Sequence, residues 1–212
     1  PITVENAKGF ETHLDVVEGT VIDRGFLSPY FATDKSKGIA ELEKCHILLC
    51  DRVLSSAHSI LPFLEHVASA NRSLIIVAND ISNEALQTLV VNRMKGTLRV
   101  CAIKSPEFGN ARSQALEDLA DVTGAKVITE DIEVKKSDDL SSYLGFSERA
   151  VVDKHGTLLV GTKGDKSAVD KKINSLSREI EKPSLQEAEV NLLKRRVRRL
   201  SEGIAILRVG GN

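Results

Sequence analysis

The chain has 212 residues, 42% of them hydrophobic and 28% charged. That is the balance of ordinary soluble globular material, enough for one large domain or a domain with an appendage. A formal net charge of −1 supplies no global field toward nucleic acid or an anionic membrane. No apolar run approaches the roughly 20 residues that span a bilayer. The first residues, PITVENAKGF, lack the basic and apolar regions of a signal peptide. A start at Pro1 rather than Met reads as a fragment or a processed chain.

The first unusual stretch is DRGFLSPYF, residues 23–31. Its Gly and Pro mark a loop, and loops lie on the surface. Yet it holds Phe26, Tyr30 and Phe31 in a chain with six Phe, two Tyr and no Trp. An aromatic cluster on a loop points to binding.

Strand and helix patterns then alternate. HILLC (46–50) predicts a strand, SILPFLEHVASA (59–70) a helix, and SLIIVA (73–78) a strand. SNEALQTLVVNRMKG (82–96) predicts a helix with a Ser cap, Glu84 in its first turn and a Gly stop. TLRVCAI (97–103) and AKVIT (125–129) predict strands on either side of a helix, NARSQALEDLADVTG (110–124). This spacing predicts a largely parallel sheet with flanking helices. RAVVDKHGTLLVG (149–161) predicts a hairpin turning at 154–156. Residues 165–181 and 184–202 predict two charged helices broken at Pro183 and folded back on each other. GIAILRVGG (203–211) closes the chain as a strand and a glycine pair.

Catalytic signatures are missing: there is no GxSxG, HExxH or GxGxxG. GTKGDKS (161–167) resembles a phosphate loop, but Asp165 stands where the glycine before the lysine belongs, and it suits a helix N-cap better. Cys45, Cys50 and Cys101 form no CxxC and read as free packed thiols. The five histidines complete no zinc pattern. Glu130/Asp131 and Asp138/Asp139 read as solvated loop charges. The run KRRVRRL (194–200) lies late in a helix, where cations complement the dipole, with Glu187 and Glu189 before it as acidic partners. A solvated helix face explains it, and nucleic-acid contact through 194–199 stays as an alternative.

Two helices carry a surplus of apolar residues. At about 100° per residue, Ile60, Phe63 and Val67 define a core stripe, and Leu61, Leu64 and Ala68 widen it. In 82–94, Ala85 and Leu89 face a core while Leu86, Val90 and Val91 fall outside that stripe. The apolar arc of roughly 240° exceeds one buried face. Either this helix is buried all round or part of the arc meets a partner.

Several long stretches, in register, resemble the group I (GroEL-type) chaperonins. LDVVEGTVIDRGFLSPYF (14–31) is similar to the start of that family's apical domain. EALQTLVVNRMKGTLRVCAIKSPEFG (84–109), LEDLADVTGAKVIT (116–129) and EGIAILRVGG (202–211) match further landmarks in order. The resemblance implies an α/β fold: an apical-domain-like swivelling β/α sandwich with flanking helices and a C-terminal helical hairpin. Residues 1–17 would be an intermediate-domain stub, 18–209 the apical domain and 210–212 a second stub, with Gly19 and Gly210 at the hinges. It implies a polypeptide-binding surface of Phe26, Ser28, Tyr30, Phe31, Leu61, Leu64, Leu86, Val90, Val91 and Asn92. It also implies the partners, namely non-native polypeptides, a GroES-type co-chaperonin and sister subunits of a double ring. No cofactor or metal belongs to these residues. ATP, Mg and most ring contacts belong to the equatorial domain of a full-length parent, so this chain would be a monomer without ATPase activity. The compartment would be a bacterial cytoplasm, a mitochondrial matrix or a plastid.

The sequence also departs from the family. Phe26 replaces the usual Tyr, FGNARS (108–113) replaces FGDRRK, and DKHGTLLVG (153–161) stands where the family has a Thr-rich hairpin. These changes indicate a divergent member and leave the apolar residues intact. A small-molecule enzyme on the α/β sheet is the alternative from another class.

Overall fold

A computed structural model describes the backbone of residues 13–209 and the side chains of 16–205. Gly210 and most of the proposed N-terminal stub lie outside these residues. The chain runs β1 (His13–Ile22), β2 (Ala40–Leu54), α1 (Leu61–Ser69), β3 (Ser73–Ile81), α2 (Asn83–Met94), β4 (Arg99–Lys104) and α3 (Gly109–Thr123). It continues through β5 (Ile128–Thr129), β6 (Gly145–Val152), β7 (Thr157–Thr162), α4 (Lys166–Ile180), α5 (Glu187–Leu200) and β8 (Gly203–Val209).

The strands lie in the order β4-β3-β2-β6-β7-β1-β8, with β5 beside the end of β2. The expectation of a largely parallel sheet is corrected. The β2–β3, β3–β4 and β2–β5 ladders are parallel, while β2–β6, β6–β7, β1–β7 and β1–β8 are antiparallel. The cause is the second half of the chain. It returns as a hairpin and as a ribbon of the two end strands, which need no crossover helix. β3 is the buried centre of the parallel half: Ser73 through Ala78 are all buried, as a strand covered on both faces must be.

Strand β1 escaped the sequence reading, although it is the second-to-last strand of the sheet, between β7 and β8. It pairs with β8 from His13 to Gly19 and with β7 from Thr20 to Ile22. Gly19 sits at that change of partner, and a Cβ there would lie 2.5 Å from the Leu159 carbonyl oxygen. Only glycine lets the two backbones approach so closely. AKVIT forms a strand only at Ile128 and Thr129.

The parallel crossovers sort the helices. The steps β2→β3→β4 proceed in one direction, and right-handed connections place α1 and α2 on one face. The return from β4 to β5 reverses direction and puts α3 on the other. There α3 receives the α4–α5 hairpin through Val122, Leu176, Leu193 and Leu200.

Charge reinforces that contact. Asp118 of α3, fully buried, accepts from Arg196 at 2.8 and 3.1 Å and from Lys172 at 3.1 Å. Lys172 also reaches Asp121 at 2.7 Å. Glu107 accepts two bonds from Arg195, at 2.8 and 3.0 Å, and one from Arg199 at 3.0 Å. The acidic partners of the basic run are therefore Glu107 and Asp118, distant in sequence, rather than Glu187 and Glu189. Of the arginines and lysine in 194–199, only Lys194 and Arg198 are exposed. That leaves little charge for phosphates.

Deleting Asp118 would leave the largely buried Arg196 uncompensated, while Lys172 would keep Asp121. Asp118→Ala is expected to cost about 3–5 kcal/mol, read from urea unfolding. A loss below about 0.5 kcal/mol would mean that solvent already screens the cluster. Glu107 adds a pH dependence. Burial pushes its carboxyl up, but hydrogen bonds from Arg195 and Arg199 outweigh this and hold it below its usual value. A depressed folded pKa stabilises above the unfolded pKa, near 4.3 for glutamate, and the gain is lost as pH falls through the folded value. The unfolding midpoint of Glu107→Gln is accordingly expected to fall less than the parent's across that acid range.

Candidate functional site

The loop after β1 is fixed before it presents anything. Gly25 packs against the β6–β7 turn so closely that a Cβ would meet the Asp153 carbonyl oxygen at 2.3 Å. Phe26 N donates to Asp153 O at 3.0 Å, and Leu27 N donates to Ala102 O at 2.9 Å, which lays the segment along the β4 edge. Ser28 caps the following 3₁₀ turn, Pro29–Phe31, and its Oγ accepts from Tyr30 N at 3.2 Å. Phe31 then points into the core with no exposed surface, while Tyr30 points out at 56% exposure. The turn lies against α2 and β4.

The two helices of this face are stitched at their starts. Ser82 caps α2 by accepting from Ala85 N at 3.2 Å. Its hydroxyl donates to Ser55 O at 2.7 Å, and its backbone N donates to Leu54 O at 2.9 Å. Ser56 caps the 3₁₀ turn Ala57–Ile60 that leads into α1, accepting from His58 N at 3.1 Å. That turn packs on α2. So α2 is flanked by the Pro29–Phe31 turn and by the entrance to α1.

The residues implied by the family resemblance separate by exposure. Tyr30, Leu61 and Val91 are exposed, and Phe26, Leu86, Val90 and Asn92 are half-buried. Ser28, Phe31 and Leu64 are buried at 8%, 0% and 6%. These three shape the face from beneath instead of forming it. Asn92 is committed to the helix end: Nδ2 donates to Thr88 O at 2.8 Å, and Oδ1 accepts from Thr97 Oγ1 at 2.9 Å. The arc of α2 thus has both fates left open by the sequence. Ala85 and Leu89 are core, and Val91 faces solvent. Met94, exposed at 52%, continues the Leu86–Val90 stripe by one more helical turn. The sequence reading overlooked it, although the i, i+4, i+8 spacing was there to find.

An enzyme on this sheet would use the carboxyl ends of the parallel strands. Those ends are partly bonded internally, with Asn79 Oδ1, Ser105 Oγ and Arg52 Nε buried without a partner. Both Asp51 oxygens are taken, by Asn79 Nδ2 at 2.8 Å and Ser113 Oγ at 2.7 Å. Arg52 donates to the Thr129 and Ile132 carbonyls. An open depression of about 560 Å³ lies at the opposite, amino end of β3 and β4, lined by Glu41, Glu43, Arg93 and Arg99 among others. There Glu41 is already paired with Arg149 at 2.7 Å. Among the described residues no group of three or more His, Cys, Asp or Glu side chains could hold a metal ion.

The fold is that of a GroEL-type chaperonin domain, a mixed sheet with α1 and α2 on one face and a helical hairpin on the other. The chain is 43% identical over 209 residues to Chaperonin GroEL 5 of Bradyrhizobium diazoefficiens. That likeness is to a segment of a GroEL-type chaperonin. The similarity covers 99% of this chain, which spans 38% of that relative's length. No family model matches it.

Core and surface roles within the loop are separable by stability. Phe31→Ala is expected to cost about 3–5 kcal/mol, and Tyr30→Ser to stay within about 0.5 kcal/mol, both by denaturant unfolding. Similar losses in the two variants would contradict the division.

Proposed function

We propose that the chain is the polypeptide-binding apical domain of a group I chaperonin, with residues 18–209 as the domain and Gly19 and Gly210 as its hinges. The observation that carries this reading is the exposure of Tyr30, Leu61 and Val91 on adjoining elements that a capped loop and two stitched helices hold in place.

A non-native chain exposes apolar side chains, and this face can bury them. Burial returns about 25 cal/mol per Å² of apolar area, and the cost of ordering the bound segment offsets part of it. The interaction is largely non-directional, so it tolerates many sequences. A GroES-type mobile loop would compete for the same face. ATP and Mg would act in the equatorial part of a full-length parent, whose double ring would supply avidity. By this reading the chain of 212 residues is a monomer that holds clients weakly without nucleotide.

The test is fluorescence anisotropy of a labelled peptide of alternating Leu and Lys, titrated with the chain and with Tyr30→Ser and Val91→Ser. Each exposed substitution is expected to weaken binding roughly three- to tenfold, the worth of burying the exposed half of one apolar side chain. Equal binding by the parent and both folded variants would place the function elsewhere.

A further inference from the structure

The chain has four sulfur atoms, three in cysteines and one in its single methionine. The structure divides them sharply. Cys45, Cys50 and Cys101 are free and have no exposed surface. Burial pushes the thiols of Cys45 and Cys50 up to about 12, and that of Cys101 is raised as well. Thiolate is the oxidisable form, and these thiols lack both the charge and the access. Met94 is the opposite. It is 52% exposed, at the last position of α2, on the helical stripe of Leu86 and Val90.

We propose that Met94 is an oxidation site that lowers the apolar affinity of the α2 face. This deepens the polypeptide-binding reading and rests on it. Methionine suits a promiscuous surface because its unbranched, polarisable side chain adapts to different partners. Oxidation removes that quality. The thioether sulfur donates a lone pair to one oxygen of hydrogen peroxide and the O–O bond breaks. The sulfoxide S–O bond forms and water leaves, with the sulfur oxidised by two electrons and the peroxide reduced. An apolar side chain becomes polar on the binding stripe, and a methionine sulfoxide reductase can restore it. The protected cysteines confine the response to this one atom.

The experiment treats the chain and Met94→Leu with hydrogen peroxide and follows oxidation by peptide mass spectrometry. Affinity for the labelled Leu/Lys peptide is measured before and after, each protein being compared with its own untreated state. The expected result is one added oxygen, on Met94, with a roughly three- to tenfold weaker parent and an unchanged Met94→Leu. Reductase treatment is expected to restore the parent. Complete sulfoxide formation with unchanged affinity would overturn the proposal, as would an equal loss in Met94→Leu. Failure of the untreated parent to bind the peptide would instead overturn the reading of the face, and with it the consequence drawn for Met94.

Discussion

The face depends on one anchor. Phe31 is fully buried against the sheet and α2, and it sits one residue from Tyr30 in a turn that Ser28 caps. In so tight a turn, seating Phe31 in the core leaves Tyr30 directed to solvent. The energy that buries one ring therefore positions the other. Gly25 and the two backbone bonds from Phe26 and Leu27 set where this turn begins. An aromatic presented in this way loses little further freedom when a partner covers it, which lowers the cost of binding.

A similar division runs through α2. Its buried stripe, Ala85 and Leu89, holds the helix on the sheet, and Ser82 fixes its start to the end of β2 through its backbone N–H to Leu54 and its hydroxyl to Ser55. The remaining apolar residues of the helix are left on or near the surface. The opposite face of the molecule is closed by charge as well as packing. Arg195, Arg196, Arg199 and Lys172 are spent on Glu107 and Asp118. Glu107 has a φ of 67°, unusual for a residue with a Cβ. Such strain persists where surrounding contacts over-determine it, and two arginines supply those contacts here. One face is thus locked internally while the other keeps unpartnered apolar surface.

Much of this was legible in the sequence because it is local. The Ser82 cap, the stop of α3 at Gly124, Asp165 as the N-cap of α4, and the helical hairpin all follow from residues within a few positions of one another. The buried free cysteines were legible from their apolar context. What was missed is non-local. The ten residues of β1 carry Gly19 within them, and their partners are the last strand and a hairpin far along the chain. Two of the four antiparallel ladders involve this strand. The partners of the basic run were sought among neighbours and lie some 80 to 90 residues away. Within the candidate site, sequence resemblance named segments but could not tell a buried side chain from an exposed one. Phe31 and Tyr30 look equivalent until one is seen to fill the core.

Amide hydrogen exchange, with and without a saturating unfolded client, addresses the central claim most directly. New protection is expected in three segments, the Pro29–Phe31 turn, the first turns of α1, and α2 from Leu86 to Met94, with α3, α4 and α5 unchanged. Protection concentrated on the α3–α5 face, or none in α2, would contradict the account.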